Sequence, residues 1–238
     1  MSSKIPLYDT ASHTKKGCKK LSSLFNSEQR YRFMEALRAQ NPHPKPVLRF
    51  SNPFELICAV ALSAQTTDIA VNKVTENLFA VAKTPYEMMQ LGQEGIAPLI
   101  KSLGLWRAKA RNLSLMSKML VEKFDSQVPD DFNALVSLPG VGSKTALVVL
   151  NIAFNHPTVA VDTHIFRVCR RTGFCVGKTA VEIQSMLPYL IDREFLKDAH
   201  HYLLLHGRHV CTARNPKCEL CVVSGFCHSR MEEDTKKD

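Results

Sequence analysis

Cys211, Cys218, Cys221 and Cys227 stand at the spacing Cys-x6-Cys-x2-Cys-x5-Cys near the C-terminus. A loop this rich in cysteine is shaped by what its sulfurs bind, so it constrains the chain more than any other segment. Zinc and iron–sulfur centres both use four cysteines. Zinc sites usually join two Cys-x2-Cys pairs or include histidine, whereas this loop has a single such pair, and the spacing favours a [4Fe–4S] cluster. A disulfide framework is the third reading. A chain of 238 residues needs no such staples, and its first residues do not read as a secretory leader.

The rest of the composition describes a protein able to bury a sizeable core: 45% of residues are hydrophobic. The longest apolar runs, such as Leu56 to Leu62, fall far short of the ~20 residues that span a bilayer, so a soluble protein of the cell interior without membrane contact is expected. Lys and Arg outnumber Asp and Glu by 31 to 22, a formal charge of +9, and nucleic acid is the expected partner. Residues 1–30 hold six of the cations against Asp9 and Glu28, a net +4, so most of the excess belongs to the remainder.

Helix punctuation recurs along the chain and strand alternation does not, which predicts an all-α fold. Asn52-Pro53-x-Glu55, Thr84-Pro85-x-Glu87 and Thr179 with Glu182 have the form of helix starts. Gly92, Gly104 and Gly173 sit where C-terminal caps belong. Residues 1–27, polar and lysine-rich, read as a basic flexible extension. A helix within 28–44 is expected to join the C-terminal lobe. Residues 45–155 form one helical domain, 156–228 form the cysteine-bearing domain and 229–238 a tail. Asn155-His156-Pro157 marks the break.

Leu138-Pro139-Gly140-Val141-Gly142 separates a helix beginning near Asp130 from a very apolar one running from Ser143 to Phe154, which is a helix-hairpin-helix. Gly140 and Gly142 permit positive φ and keep side chains away, so a phosphate can approach the amides that open the second helix. An ordinary tight turn would use the same glycines. Lys144 follows at once. It reads as a solvated charge, as a phosphate contact, or as a nucleophile whose amine is freed by burial and by the positive helix end. Asp162, before Thr163-His164-Ile165-Phe166-Arg167, suits an N-cap, with one oxygen capping and the other left for chemistry. Cys58 and Cys169 fall in apolar helical patterns and belong to the core, whereas Cys18 and Cys175 have no assigned task.

Together, Leu138 to Val149, Ala160 to Val168 and the cysteine loop resemble the endonuclease III family of DNA glycosylases with abasic-site lyase activity, in the family's order, from about Asn41 to Cys227. The resemblance implies two helical lobes, a six-helix barrel with the hairpin and an iron–sulfur lobe, flanking a DNA-binding groove. It also implies a [4Fe–4S] cluster on the four cysteines, and Lys144 and Asp162 as catalytic residues. Gln65, in Leu62-Ser63-Ala64-Gln65-Thr66-Thr67-Asp68, matches a glutamine that fills the vacated base stack, and Leu105 matches a wedge. Gly140, Gly142, Arg214 and Lys217 are expected on the DNA backbone. Ser143 departs from the family, which often has arginine there, a charge that one phosphate contact would use. The implied activity is removal of oxidised pyrimidines through a lysine Schiff base followed by β-elimination, on double-stranded DNA with damaged bases or abasic sites, by a monomer. The alternatives are an adenine-type monofunctional glycosylase and a non-enzymatic DNA-binding iron–sulfur protein.

Overall fold

Residues 23–235 are described by a computed structural model, so all but the last residues of the basic 1–27 extension, with Cys18, lie outside the described residues. Those described are helical, with no strand among them. The elements are α1 (Ser27–Gln40), α2 (Pro53–Leu62), α3 (Asp68–Val81), α4 (Pro85–Leu99), α5 (Trp106–Lys123), α6 (Phe132–Ser137), α7 (Ser143–Phe154), α8 (Thr163–Thr172), α9 (Ala180–Leu190), α10 (Arg193–His209) and α11 (His228–Asp234), with short 3-10 turns at Cys218–Leu220 and Ser224–Phe226. None is long and apolar enough to cross a membrane. They divide into two compact units, one from Pro46 to Asn155 and one combining α1 with everything from His156 onward.

The unit from Pro46 to Asn155 is organised around α2, whose residues Phe54 to Val60 and Leu62 are all buried. A helix apolar on every side must be central, and α3, α5 and α7 pack against it. Its start follows the sequence closely: Asn52 caps the Glu55 amide at 2.8 Å, and Pro53 occupies the first turn. The buried Glu55 carboxylate reaches one residue further than a capping box, accepting from the Ser51 amide and hydroxyl at 2.7 and 2.8 Å. On α4 the reciprocal Thr84–Glu87 box is complete.

Two of the three predicted glycine caps behave differently. Gly173 is a left-handed cap to α8, with φ 85°. Gly92, at φ 61° and ψ −179°, forms a kink inside α4, a backbone region open only to glycine. Gly104 caps nothing, because the left-handed residue here is its neighbour Leu105, the N-cap of α5, at φ 57°.

The other unit is built on an aromatic knot. Phe25, Phe33 and Phe174 meet with ring centroids 4.9–5.9 Å apart, joined by Met34, Leu37, Phe195 and Leu203. On α8 the buried residues Ile165, Val168, Cys169 and Thr172 recur at helical spacing. Cys175, given no task by its sequence, is buried here as well, and burial pushes its thiol up to about 12.

Candidate functional site

The hairpin comprises α6, the turn 138–142 and α7. Asp131 caps α6 through the Ala134 amide at 2.8 Å, and the Val141 amide closes the turn on the Leu138 carbonyl at 3.1 Å. The two glycines have different reasons to be there. Gly140 has φ 80°, and a Cβ on it would stand 2.9 Å from that of Asn112 on α5. Gly142 has φ −92° and ψ 174°, which any residue adopts, so the expectation of positive φ does not hold for it. A Cβ there would meet nothing within 4 Å. Its small size leaves the start of α7 open, and no side chain caps that helix, so its first amides present positive charge outward.

Lys144 lies in that first turn and is exposed. Burial was expected to help free its amine, but the apolar face of α7 is the one carrying Ala146, Leu147, Val149 and Leu150, and Lys144 lies off it. In the same unit Gln65 is exposed on the α2–α3 turn with φ 55°, and Leu105 is 64% exposed with φ 57°. Gly140, Gln65 and Leu105 therefore all take left-handed backbone on exposed turns.

Asp162 belongs to the other unit, where its segment is tied down on several sides. The Val161 amide donates to Gln184 at 3.2 Å, and the Ala160 carbonyl lies 3.0 Å from His200 Nδ1. Close approach of α8 to α10 depends on Gly207, where a Cβ would fall 2.8 Å from the His164 Cβ. One Asp162 oxygen caps α8, accepting from the His164 and Ile165 amides at 2.9 and 2.8 Å. The second oxygen was expected to stay available, but it pairs with His164 Nδ1 at 3.0 Å. The carboxylate is thereby fixed in orientation, with only 10% of its side chain exposed.

In the same unit, the four C-terminal cysteines line one cavity of about 260 Å³. No three His, Cys, Asp or Glu side chains among the described residues are set to hold a single metal ion. The sulfurs surround a space instead, and the donor set and its room fit an iron–sulfur cluster. Burial raises the Cys221 and Cys227 thiols, an effect that positively charged iron would overcome. Arg214 and Lys217 are exposed on this loop.

Sequence reasoning missed what holds the loop. Arg171 donates to the Thr212 and Ala213 carbonyls at 2.7 and 2.9 Å, with Cys211 Sγ at 3.7 Å. Arg167 donates to the Cys211 and Gly207 carbonyls at 2.9 and 2.7 Å. His206 Nε2 lies 3.6 Å from Cys221 Sγ, and burial pushes that histidine's pKa down to about 4. Arg171, in the last turn of α8, resembles an ordinary complement to the helix dipole and Arg167 an ordinary mid-helix charge, and no signal in the sequence marks their carbonyl partners.

Residues 58–190 match the family described as HhH-GPD superfamily base excision DNA repair protein, and residues 211–227 match the iron–sulfur binding domain of endonuclease III. The endonuclease III of Escherichia coli K12 is 48% identical over 209 residues, covering 88% of this chain and 99% of that protein. The Haemophilus influenzae endonuclease III is 50% identical over 202 residues, covering 85% and 96%. A solved structure of a trapped endonuclease III–DNA covalent intermediate, an estranged-adenine complex, superposes with a TM-score of 0.83 at 38% identity, covering 89% of this chain and all of the other. With the hairpin, the cysteine-lined cavity and these relatives all agreeing along nearly the whole described length, the chain belongs to the endonuclease III family, helix-hairpin-helix DNA glycosylases of base excision repair that carry a [4Fe–4S] cluster.

Proposed function

We propose that the protein is a bifunctional DNA glycosylase and abasic-site lyase that removes oxidised pyrimidines from duplex DNA and nicks the strand, acting as a monomer on the DNA of the cytoplasm. The observation that carries this reading is Lys144, an exposed amine in the first turn of α7, beside helix amides that no side chain caps. The open turn at Gly140 and Gly142 receives a backbone phosphate, which sets the amine against the adjacent sugar. A relative trapped as a covalent DNA intermediate supports the same chemistry.

The damaged base must leave the stack before its sugar can be attacked, at a cost of a few kcal/mol. The unprotonated Lys144 amine forms a bond to C1′ as the glycosidic bond breaks, and the base departs with its bonding pair. Loss of the amine proton and ring opening give an imine. Once protonated, the imine draws electrons from the C2′–H bond, so removal of the C2′ proton expels the 3′ phosphate. Asp162, held by the α8 amides and His164, stabilises the positive charge that develops at the sugar and accepts a proton. Gln65 and Leu105 occupy the space left in the duplex, the glutamine amide facing the orphaned base and the leucine acting as a wedge.

Cys211, Cys218, Cys221 and Cys227 hold the [4Fe–4S] cluster, which when bound gives structural order to the loop, since base release transfers no electrons. Arg214 and Lys217 then meet DNA phosphates from a fixed loop. An adenine-type monofunctional enzyme would have no use for a nucleophilic lysine two residues after the second glycine.

Borohydride reduction during incubation with a thymine-glycol duplex provides the test. A covalent protein–DNA adduct is expected from the unaltered protein and none from Lys144→Ala, with duplex affinity retained within a few-fold. Absence of an adduct from the unaltered protein would remove the lyase assignment.

A further inference from the structure

Leu105, Lys109 and Asn112 stand four and three residues apart, a spacing that sets them along one side of α5. Each meets a different exposed turn of its unit. Leu105 is itself the left-handed N-cap, and its carbonyl accepts from the Lys109 amide at 3.0 Å. Asn112 lies under Gly140 of the hairpin. Lys109 reaches the Gln65 turn, donating from Nζ to Thr66 Oγ1 at 2.7 Å.

That last contact is unusual in kind. Lys109 is only 8% exposed, and burial lowers its pKa. A lysine held this far from water serves a purpose that a methionine of similar volume would not. Its partner Thr66 in turn donates to the Ala64 carbonyl at 3.3 Å, while the Thr66 amide closes on Ser63 at 3.1 Å. The chain of hydrogen bonds from Lys109 through Thr66 to Ala64 therefore straddles Gln65, a non-glycine residue in left-handed backbone. Such a conformation persists only where its surroundings enforce it.

We propose that Lys109 is a positioning residue for DNA recognition: through Thr66 it locks Gln65 in its left-handed conformation, and so governs how the enzyme reads the base opposite a lesion. The inference rests on the reading of Gln65 as the residue entering the vacated stack, and it adds a determinant of opposite-base specificity outside the DNA-contacting set.

The test uses the full-length holoenzyme and the substitutions Lys109→Met, Thr66→Val and their combination. Kcat/KM is measured on thymine-glycol duplexes with each of the four opposing bases, and imine trapping is measured on a single-stranded abasic oligonucleotide, which has no opposing base. Loss of a charge-assisted hydrogen bond should lower duplex kcat/KM by about tenfold or more in either single variant. It should also flatten the ratio among opposing bases, and the double variant should be no worse than the more impaired single one. Trapping on the single strand should be unchanged. Lys109→Arg should restore part of the opposing-base ratio, which a role confined to packing would not predict. An unchanged ratio in Lys109→Met or in Thr66→Val would overturn the inference while leaving the lyase assignment intact, as would additive effects of the two changes. If the unaltered protein traps neither substrate, the functional reading fails and takes this inference with it. Thr66→Val keeps the question open to measurement should Lys109→Met fail to fold.

Discussion

The hairpin turn and the cysteine loop both present backbone to solvent for a purpose, yet they are held by different means. Residues 138–142 are held by the shape of the chain itself: two flanking helices, a bond from Val141 to Leu138, and a left-handed glycine lodged over Asn112. Residues 211–227 have only two 3-10 turns of their own. Their carbonyls are gathered by Arg167 and Arg171, and their sulfurs by the metal centre. Where local backbone structure is sufficient, function needs glycine. Where it is not, long side chains and a cofactor supply the missing constraints.

The widest separation of the two regions should come from removing iron. Chelation under oxidising conditions should abolish hydrogen-exchange protection across 211–227 while leaving α6 and α7 protected as before. Equal loss in both regions would mean that the hairpin also depends on the cluster. Next in size is Arg171→Met, which leaves two carbonyls without their charged donor. A loss of about 2–3 kcal/mol is expected in denaturant melts of the holoprotein, with faster bleaching of the iron–sulfur absorbance.

The glycines sharpen the comparison further. Gly140→Ala should cost about 1–3 kcal/mol, because its φ is 80° and a Cβ would stand 2.9 Å from Asn112. Gly142→Ala should cost under about 1 kcal/mol, since its backbone is extended and its surroundings are open, yet it should weaken DNA binding by obstructing the α7 amides. Melting and duplex titration of the two variants should therefore rank them in opposite orders.

Much of this was legible in the sequence because the signals are local. Asn52, Thr84 and Thr179 announce helix starts through side chains that bond three residues ahead, and Leu138 to Gly142 spell a turn within five positions. Cysteine spacing survives any rearrangement of the fold. What could not be read depends on contacts between distant positions. Arg167 and Arg171 act on carbonyls about forty residues away, and carbonyls leave no trace in residue identity. The assignment of a cap to Gly104 failed because Leu105 takes the left-handed backbone, a choice stabilised by α5 and opposed by intrinsic preference. The second Asp162 oxygen was expected to be available. It is held by His164, two residues along, an interaction the sequence permits but does not require.

In the proposed mechanism one amine, at the start of α7, becomes bonded to deoxyribose during turnover. Proteolysis and mass spectrometry of the borohydride-stabilised adduct test it most directly. The sugar remnant is expected on the peptide containing Lys144, with fragmentation placing it on that side chain. A remnant located on any other lysine or on the N-terminal amine would contradict it.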